Sequence, residues 1–314
     1  MRRGPRSSSA LRLAVRAGAA SAIGAAFAVP LLRKRLRIPA PVTVAACAGG
    51  PLGIAVLRPR SNRRDVAMFA LQMWAFIMVH ELPFDKPERL RSRLRSRYPI
   101  TADRLIGVGA LPNSRLQRGL ARLPRVAVVN RFLTWAHWLW FLEPYLALAA
   151  ILLRHHERFP RSARQMAAIF DIGCAVYFLV PTAPPWWASE QGLTGEEVRR
   201  IMVEVGEETW GSAWPKMYDA LGGNPWAAMP SLHFATALAG ALSLSEAGKV
   251  EGALGWSYAA TLGFALVYLG EHYVTDLAAG ALLVAIVRRG EPLAEPLVRG
   301  VNQTLQRLEK IASG

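Results

Sequence analysis

The sequence predicts an all-α fold, a polytopic bundle of transmembrane helices. Three observations carry that reading. Hydrophobic residues make up 52% of the 314. Soluble chains reach about 45–50%, so the clustering matters more than the total. Long runs carry few or no charges: Val66–Val79, Phe132–Leu153, Met166–Val180, Ala227–Leu244, Ala253–Leu269 and Val274–Val287. Most approach the ~20 residues that a spanning helix requires. Basic residues flank these runs, as they do where helices leave a bilayer.

Taken in order, up to eight apolar segments are expected, near 11–31, 39–57, 65–81, 131–153, 164–181, 227–246, 253–270 and 273–288. The first follows a basic start and has the Ala-rich core of a signal sequence. It lacks a clear cleavage site, and Arg33-Lys34-Arg35 follow it, so it reads as a retained membrane segment. The second is rich in Gly, Pro and Ala and is weak; an interfacial position stays open for it. The expected organisation is N-terminal membrane segments over 1–64, a core over 65–290 and a cytoplasmic tail over 291–314. No internal repeat is visible, and no stretch between the segments is large enough for a soluble domain.

The chain carries 38 Lys plus Arg against 22 Asp plus Glu, a net charge of +16. In a soluble protein this balance suggests nucleic acid. Here flanking positions and anionic head groups account for it, and no nucleic-acid partner is expected. Cys47 and Cys174 sit in apolar runs and form no metal or disulfide spacing. His155-His156 has no third ligand nearby. No metal and no cofactor are expected.

Charge also orients the segments. Residues 154–164, RHHERFPRSAR, are strongly basic and belong inside by the positive-inside rule. One crossing later, residues 182–226 hold seven acids and three bases and fall outside. His233 then starts its helix outside, and Arg288-Arg289 end the last segment inside. Residues 82–125 conflict with the rule. They hold eleven bases and three acids, yet parity puts them outside. Within them, ADRLIGVGALPNSRLQRGLARLP alternates apolar and basic positions at helical spacing, which suits a membrane surface. The expected location is the cell (plasma) membrane, crossed several times.

Three stretches carry chemistry, each at the outer end of an apolar segment: FLVPTAPPWW (178–187), GGNPWAAMPSLHFATALAG (222–240) and YLGEHYVTDLAAG (268–280). His272 and Asp276, spaced i, i+4, share one helix face. A carboxylate there takes the proton on one imidazole nitrogen and frees the lone pair on the other. A structural pair anchoring a helix end is the other reading. Pro230 suits a first helical turn. Ser231 and the free N–H groups of that turn offer an anion-binding end. His233, on the same turn, is the right type of group to protonate a leaving oxygen.

PSLH (230–233) followed by YLGEHYVTDLAAG resembles the second and third signatures of the type 2 phosphatidic acid phosphatase superfamily. The resemblance covers residues 65–290. It implies a six-helix membrane core and metal-independent chemistry through a phosphohistidine. By resemblance, His272 is the nucleophile, Asp276 its orienting partner and His233 the general acid. Ser231 and Gly270 match positions near the phosphate. Tyr273 and His137 complete the expected phosphate-binding set.

The departures concern charge. The superfamily's third motif carries Ser-Arg where this chain has Ala265 and Leu266. Its first motif carries a lysine and an Arg-Pro, but no Lys or Arg occurs between Arg164 and Arg199. A phosphoryl transition state needs compensating charge. Helix N-termini, His137, or an arginine such as Arg131 or Arg200 are the candidates. PTAPPWW, NPWAAMPSLHF and the histidine in WAHWLWF resemble the inositol phosphorylceramide synthase-like, inositolphosphotransferase-like branch. That branch transfers a phospho-head group between lipids.

The expected function is therefore an integral membrane lipid phosphoesterase or phosphotransferase acting on a membrane phospholipid or phosphorylated lipid. A lipid phosphate phosphatase is the alternative in the same class. A non-catalytic anionic-lipid binding or transport protein is the alternative from another.

Overall fold

The computed structural model of the chain describes residues 5–221 and 224–314. Residues 1–4 of the basic N-terminus lie outside the described residues, as do Gly222 and Gly223 at the head of the second chemical stretch. Among the described residues there is no β-strand, only isolated bridges from Thr182 to Arg95 and to Ala227. The all-α expectation holds.

The chain forms two compact units, residues 1–85 with 288–314, and residues 86–287. In the first, α1 (Pro5–Leu36), α2 (Ala40–Leu57) and α3 (Asn62–His80) pack in sequence. Small residues let α1 and α2 approach closely. A Cβ on Gly53 would stand 2.6 Å from the Ala19 carbonyl oxygen, and one on Gly50 2.9 Å from Ala26 Cβ. Ser61 caps α3 by accepting from Arg64 N–H at 3.2 Å. Among the described residues, two helical stretches are long and apolar enough by themselves to cross a membrane, Ser9–Leu36 and Ala40–Leu57. The segment that reads as weak, with an interfacial position open to it, is thus one of them by length and composition. Gly, Pro and Ala lower its bulk but leave it free of charge.

The second unit holds α4 (Pro87–Arg91), α5 (Arg97–Ile106), α6 (Pro112–Leu120), α7 (Val126–Leu139), α8 (Glu143–Arg154), α9 (Phe159–Leu179), α10 (Pro185–Glu190), α11 (Ile201–Trp210), α12 (Trp214–Leu221), α13 (Leu232–Ala247) and α14 (Lys249–Tyr268). It also holds the beginning of α15 (Val274–Ser313), which runs unbroken past Arg288. Helix α13 is central, packed on α8, α9 and α14. A Cβ on Gly255 of α14 would lie 2.7 Å from Ala241 Cα, and one on Gly280 of α15 2.7 Å from the Ser231 carbonyl oxygen. Glycine is what permits both approaches.

Two expectations change here. The segment expected at 131–153 is not one helix but α7 and α8, bent by 57°. Pro144 has no N–H to return to the Trp140 carbonyl, so the helix breaks before it. Taken together the pair passes as a third span. Pro230 lies outside α13 rather than in its first turn. Ser231 is the N-cap, and its hydroxyl accepts from Phe234 N–H at 3.3 Å.

Residues 86–125 and 182–226 gather at the same end of this unit. Asn113 and Gln117 of α6 reach Val267 and Tyr268, and the Glu196 carboxylate accepts from Leu111 N–H. Loop 154–164 lies at the opposite end. There Arg154 meets Glu251, and Arg158 meets the Glu246 carbonyl. Four of the eleven basic side chains in 86–125 are engaged within the protein. Arg93 donates to the Phe178 and Leu179 carbonyls, Arg104 to that of Thr194, Arg115 to that of Val108, and Arg118 pairs with Glu196.

Candidate active site

The site is assembled at the junction where α14 ends and α15 begins. Gly270 turns the chain with φ +83°, a left-handed conformation suited to glycine. A Cβ there would lie 2.5 Å from the Arg199 carbonyl oxygen. The Gly270 carbonyl accepts from Trp186 N–H at 3.2 Å. Glu271 and His272 N–H both reach back to the Leu266 carbonyl at 3.1 Å. This tight turn presents the His272 ring toward α13.

His272 Nδ1 lies 3.3 Å from Asp276 Oδ2, and that oxygen also accepts from Tyr273 N–H at 2.8 Å. A carboxylate so placed can accept the proton of Nδ1, the tautomer that leaves Nε2 with its lone pair. His272 Nε2 stands 3.1 Å from His233 Nδ1. With this tautomer His233 donates to His272, so Asp276, His272 and His233 form a continuous chain. Asp276 and His272 are buried. The Asp276 carbonyl accepts from Ser231 N–H at 3.0 Å, tying the starts of α13 and α15 together.

The predicted residues thus converge to different degrees. His233, His272 and Asp276 touch. Ser231 joins them through its backbone and caps α13. Tyr273 contributes its N–H, while its ring is buried with Ile100, Leu111, Ala188 and Val198. Gly270 shapes the turn. His137 of α7 is buried, its ring centroid 5.0 Å from that of His233, and neither ring nitrogen has a hydrogen-bond partner among the described residues. Buried polar atoms are normally satisfied, which sets His137 apart from its neighbours. Arg131 is exposed and pairs at 3.7 Å with Glu208.

Other supporting residues were not anticipated. Trp140, at the bend between α7 and α8, lies 4.1 Å from the His233 ring and donates to Thr236 Oγ1 at 2.8 Å. Asn113 donates to the Val267 and His272 carbonyls at 2.7 and 2.9 Å. Gln117 donates to the Tyr268 and Arg199 carbonyls at 2.8 and 2.9 Å. Asp103 accepts from Val274 and Thr275 N–H, capping α15. Burial pushes the Asp103 carboxyl up, against the opposing pull of those amides. For Glu196 burial acts upward too. The Ser114 hydroxyl, Leu111 N–H, Arg118 and Arg104 outweigh it and hold the carboxyl below its ordinary range. Amphipathic spacing in 102–124 hints at these helices, but nothing local shows what their polar residues reach.

Among the described residues no group of three or more His, Cys, Asp or Glu is arranged to hold a metal ion.

A helical membrane protein with a His–His–Asp chain at one end of its bundle is the class this fold and site define. A sequence profile described as the PAP2 superfamily matches residues 102–288, more than half of the chain. The chain belongs to the PAP2 superfamily, and with that it is a phosphatase-type lipid phosphoesterase of the membrane. No curated protein and no solved structure matches the chain.

Proposed function

We propose that this protein transfers a phospho-head group between lipids through a phosphohistidine on His272. The observation that carries the reading is the contact of His272 Nε2 with His233 Nδ1, backed by Asp276 on the far nitrogen. His272 Nε2 attacks phosphorus and forms the N–P bond. The P–O bond to the leaving alcohol breaks, and His233 gives that oxygen its proton. An acceptor hydroxyl then attacks the phosphohistidine, surrenders its proton to His233, and releases His272. In the resting site His233 donates into the lone pair that must attack. Substrate therefore parts the two rings.

Burial favours a lipid hydroxyl over water as acceptor. His272 and Asp276 are enclosed, and Trp140 stands against the His233 ring, tilted by 52°. Exclusion of water protects a reactive intermediate from hydrolysis. The resemblance of WAHWLWF and NPWAAMPSLHF to the inositol phosphorylceramide synthase-like branch points the same way. Residues 65–290 are the catalytic core, 1–64 add membrane segments, and 291–314 form a cytoplasmic tail. The site faces the outside of the plasma membrane, and the reaction needs no metal.

The test uses purified protein in detergent with mixed anionic lipids, following free phosphate and new lipid species by mass spectrometry, with His272→Ala as control. A new phospholipid that disappears in the variant is expected, and it persists in excess chelator. Free phosphate alone makes the protein a phosphatase. Neither product across a broad lipid set supports anionic-lipid binding or transport instead.

A further inference from the structure

A phosphoryl site needs positive charge, and the positions that carry it in the superfamily are apolar here. Ala265 and Leu266 are fully buried among hydrophobic side chains. We propose that Arg200 is the phosphate-binding cation of this site and that Glu271 holds it in place until a phosphoryl group arrives. This rests on the phosphotransfer reading and names the group that binds the phosphate monoester or diester of the lipid.

Arg200 is fixed at both neighbours. Gln117 accepts from Arg199 N–H and donates to the Arg199 carbonyl, both at 2.9 Å, while Ile201 N–H donates to the Leu269 carbonyl at 3.3 Å. Its guanidinium lies 4.0 Å above the Trp186 ring, and the backbone of Trp186 is bonded to Gly270. Its Nε donates to Glu271 Oε1 at 2.9 Å, and Glu271 immediately precedes His272. Two other cations of this end, Arg131 and Arg118, differ. The Arg131 and Arg118 side chains are each 60% exposed, whereas Arg200 is 19% and Glu271 11% exposed. The His137 ring lies 5.0 Å from that of His233, which lies 5.3 Å from that of His272, the residue after Glu271.

A second observation points to a ligand. His137 is buried with both ring nitrogens unpartnered, and the enclosed Trp186 indole N–H has no acceptor. Hydrogen-bonding capacity thus goes unused close to a cation already neutralised by a neighbouring carboxylate. An anion carrying several acceptor oxygens can accept from the Trp186 indole N–H and from the one N–H that a neutral His137 ring carries. Guanidinium offers phosphate the same paired donors it offers carboxylate, so Arg200 exchanges Glu271 for phosphate oxygens without leaving Trp186.

The experiment measures inorganic phosphate on the full-length protein in detergent, by thermal shift and as inhibitor of lipid turnover. The variants are Arg200→Gln, Glu271→Gln, the two combined, and Arg131→Gln as control. Arg200→Gln is expected to weaken phosphate binding roughly 10- to 100-fold, the scale of a hydrogen bond to a charged group. Glu271→Gln is expected to strengthen it, and the double variant to stay as weak as Arg200→Gln. Recovery of the double variant to wild-type affinity overturns the proposal, because Arg200 then only neutralises Glu271. Unchanged affinity in Arg200→Gln, or no phosphate binding by the wild type, overturns it as well. If Arg200→Gln does not fold, Glu271→Gln decides: tighter phosphate supports the exchange, and unchanged or weaker phosphate overturns it. Phosphate binding that depends on Arg200 without any lipid turnover leaves the clamp standing and removes the phosphotransfer reading. Turnover with phosphate affinity independent of Arg200 does the reverse.

Discussion

Asp103 and Val274 are joined across 171 positions of sequence. The Asp103 carboxylate accepts from Val274 N–H at 2.8 Å and, with its other oxygen, from Thr275 N–H at 2.9 Å. The helix that carries Asp276 is therefore capped by a residue from α5, and the start of α15 depends on a helix distant in sequence. Asp103→Ala leaves two helix N–H groups without acceptors, at a cost of about 1 kcal/mol. A fall in Tm of a few degrees is expected, since each kcal/mol shifts Tm by ~2–4 °C at this size. kcat should fall more than KM rises. Unchanged Tm and kcat would remove Asp103 from the positioning of α15.

Asp276→Asn tests the orientation of His272. Its amide retains an acceptor oxygen but allows the wrong imidazole tautomer. Turnover is expected to fall by about a hundredfold or more, with the helical circular dichroism spectrum intact. Wild-type turnover in Asp276→Asn would leave the carboxylate a purely structural role.

His233→Ala should cost about 10²- to 10⁴-fold on a natural lipid. The loss should be much smaller on a nitrophenyl phosphate ester, whose leaving group departs without a proton. Equal losses on both substrates would show that His233 does not act as the acid.

Gly270 adopts φ +83°, and a Cβ on it would meet the Arg199 carbonyl oxygen at 2.5 Å. Gly270→Ala should destabilise the protein by about 1–3 kcal/mol. It should also weaken phosphate binding, because the turn moves against the Arg199–Arg200 backbone. Differential scanning fluorimetry with and without phosphate reads both effects.

Glu196 is held below its ordinary carboxylate range once Ser114, Leu111 N–H, Arg118 and Arg104 outweigh its burial. A depressed folded-state pKa stabilises the fold above the unfolded-state value, and that stabilisation is lost as pH falls through the folded-state value. Glu196→Gln should therefore lower Tm at about pH 7, by less than the equivalent of ~1 kcal/mol because Arg118 is exposed. The gap to wild type should close in acid. A gap that does not change with pH would mean that Glu196 acts through hydrogen bonding alone.

Much of this was legible in the sequence because the signals were local. Apolar run length gives away membrane helices, and i, i+4 spacing puts Asp276 beside His272 on any helix. The PSLH and YLGEHYVTD stretches identify their superfamily without coordinates. The bend before Glu143 was missed although Pro144 was visible, because hydropathy is blind to a missing N–H. Pro230 suits a first helical turn by sequence but lies just before the cap, because Ser231 takes the N-cap position.

By itself the sequence determined the helical membrane class, the His–Asp pair and the absence of cations from the usual positions. The first two follow from periodicity, spacing and composition, each a property of neighbouring residues, and the third from the resemblance to the superfamily's motifs. Only the tertiary structure decided that His233 meets His272, that His137 stands beside them unpartnered, that Asp103 caps α15, and that Arg200 rather than Arg131 lies against Glu271. Those pairings join segments far apart in the chain. They depend on glycine-permitted helix contacts and polar caps that no local pattern encodes.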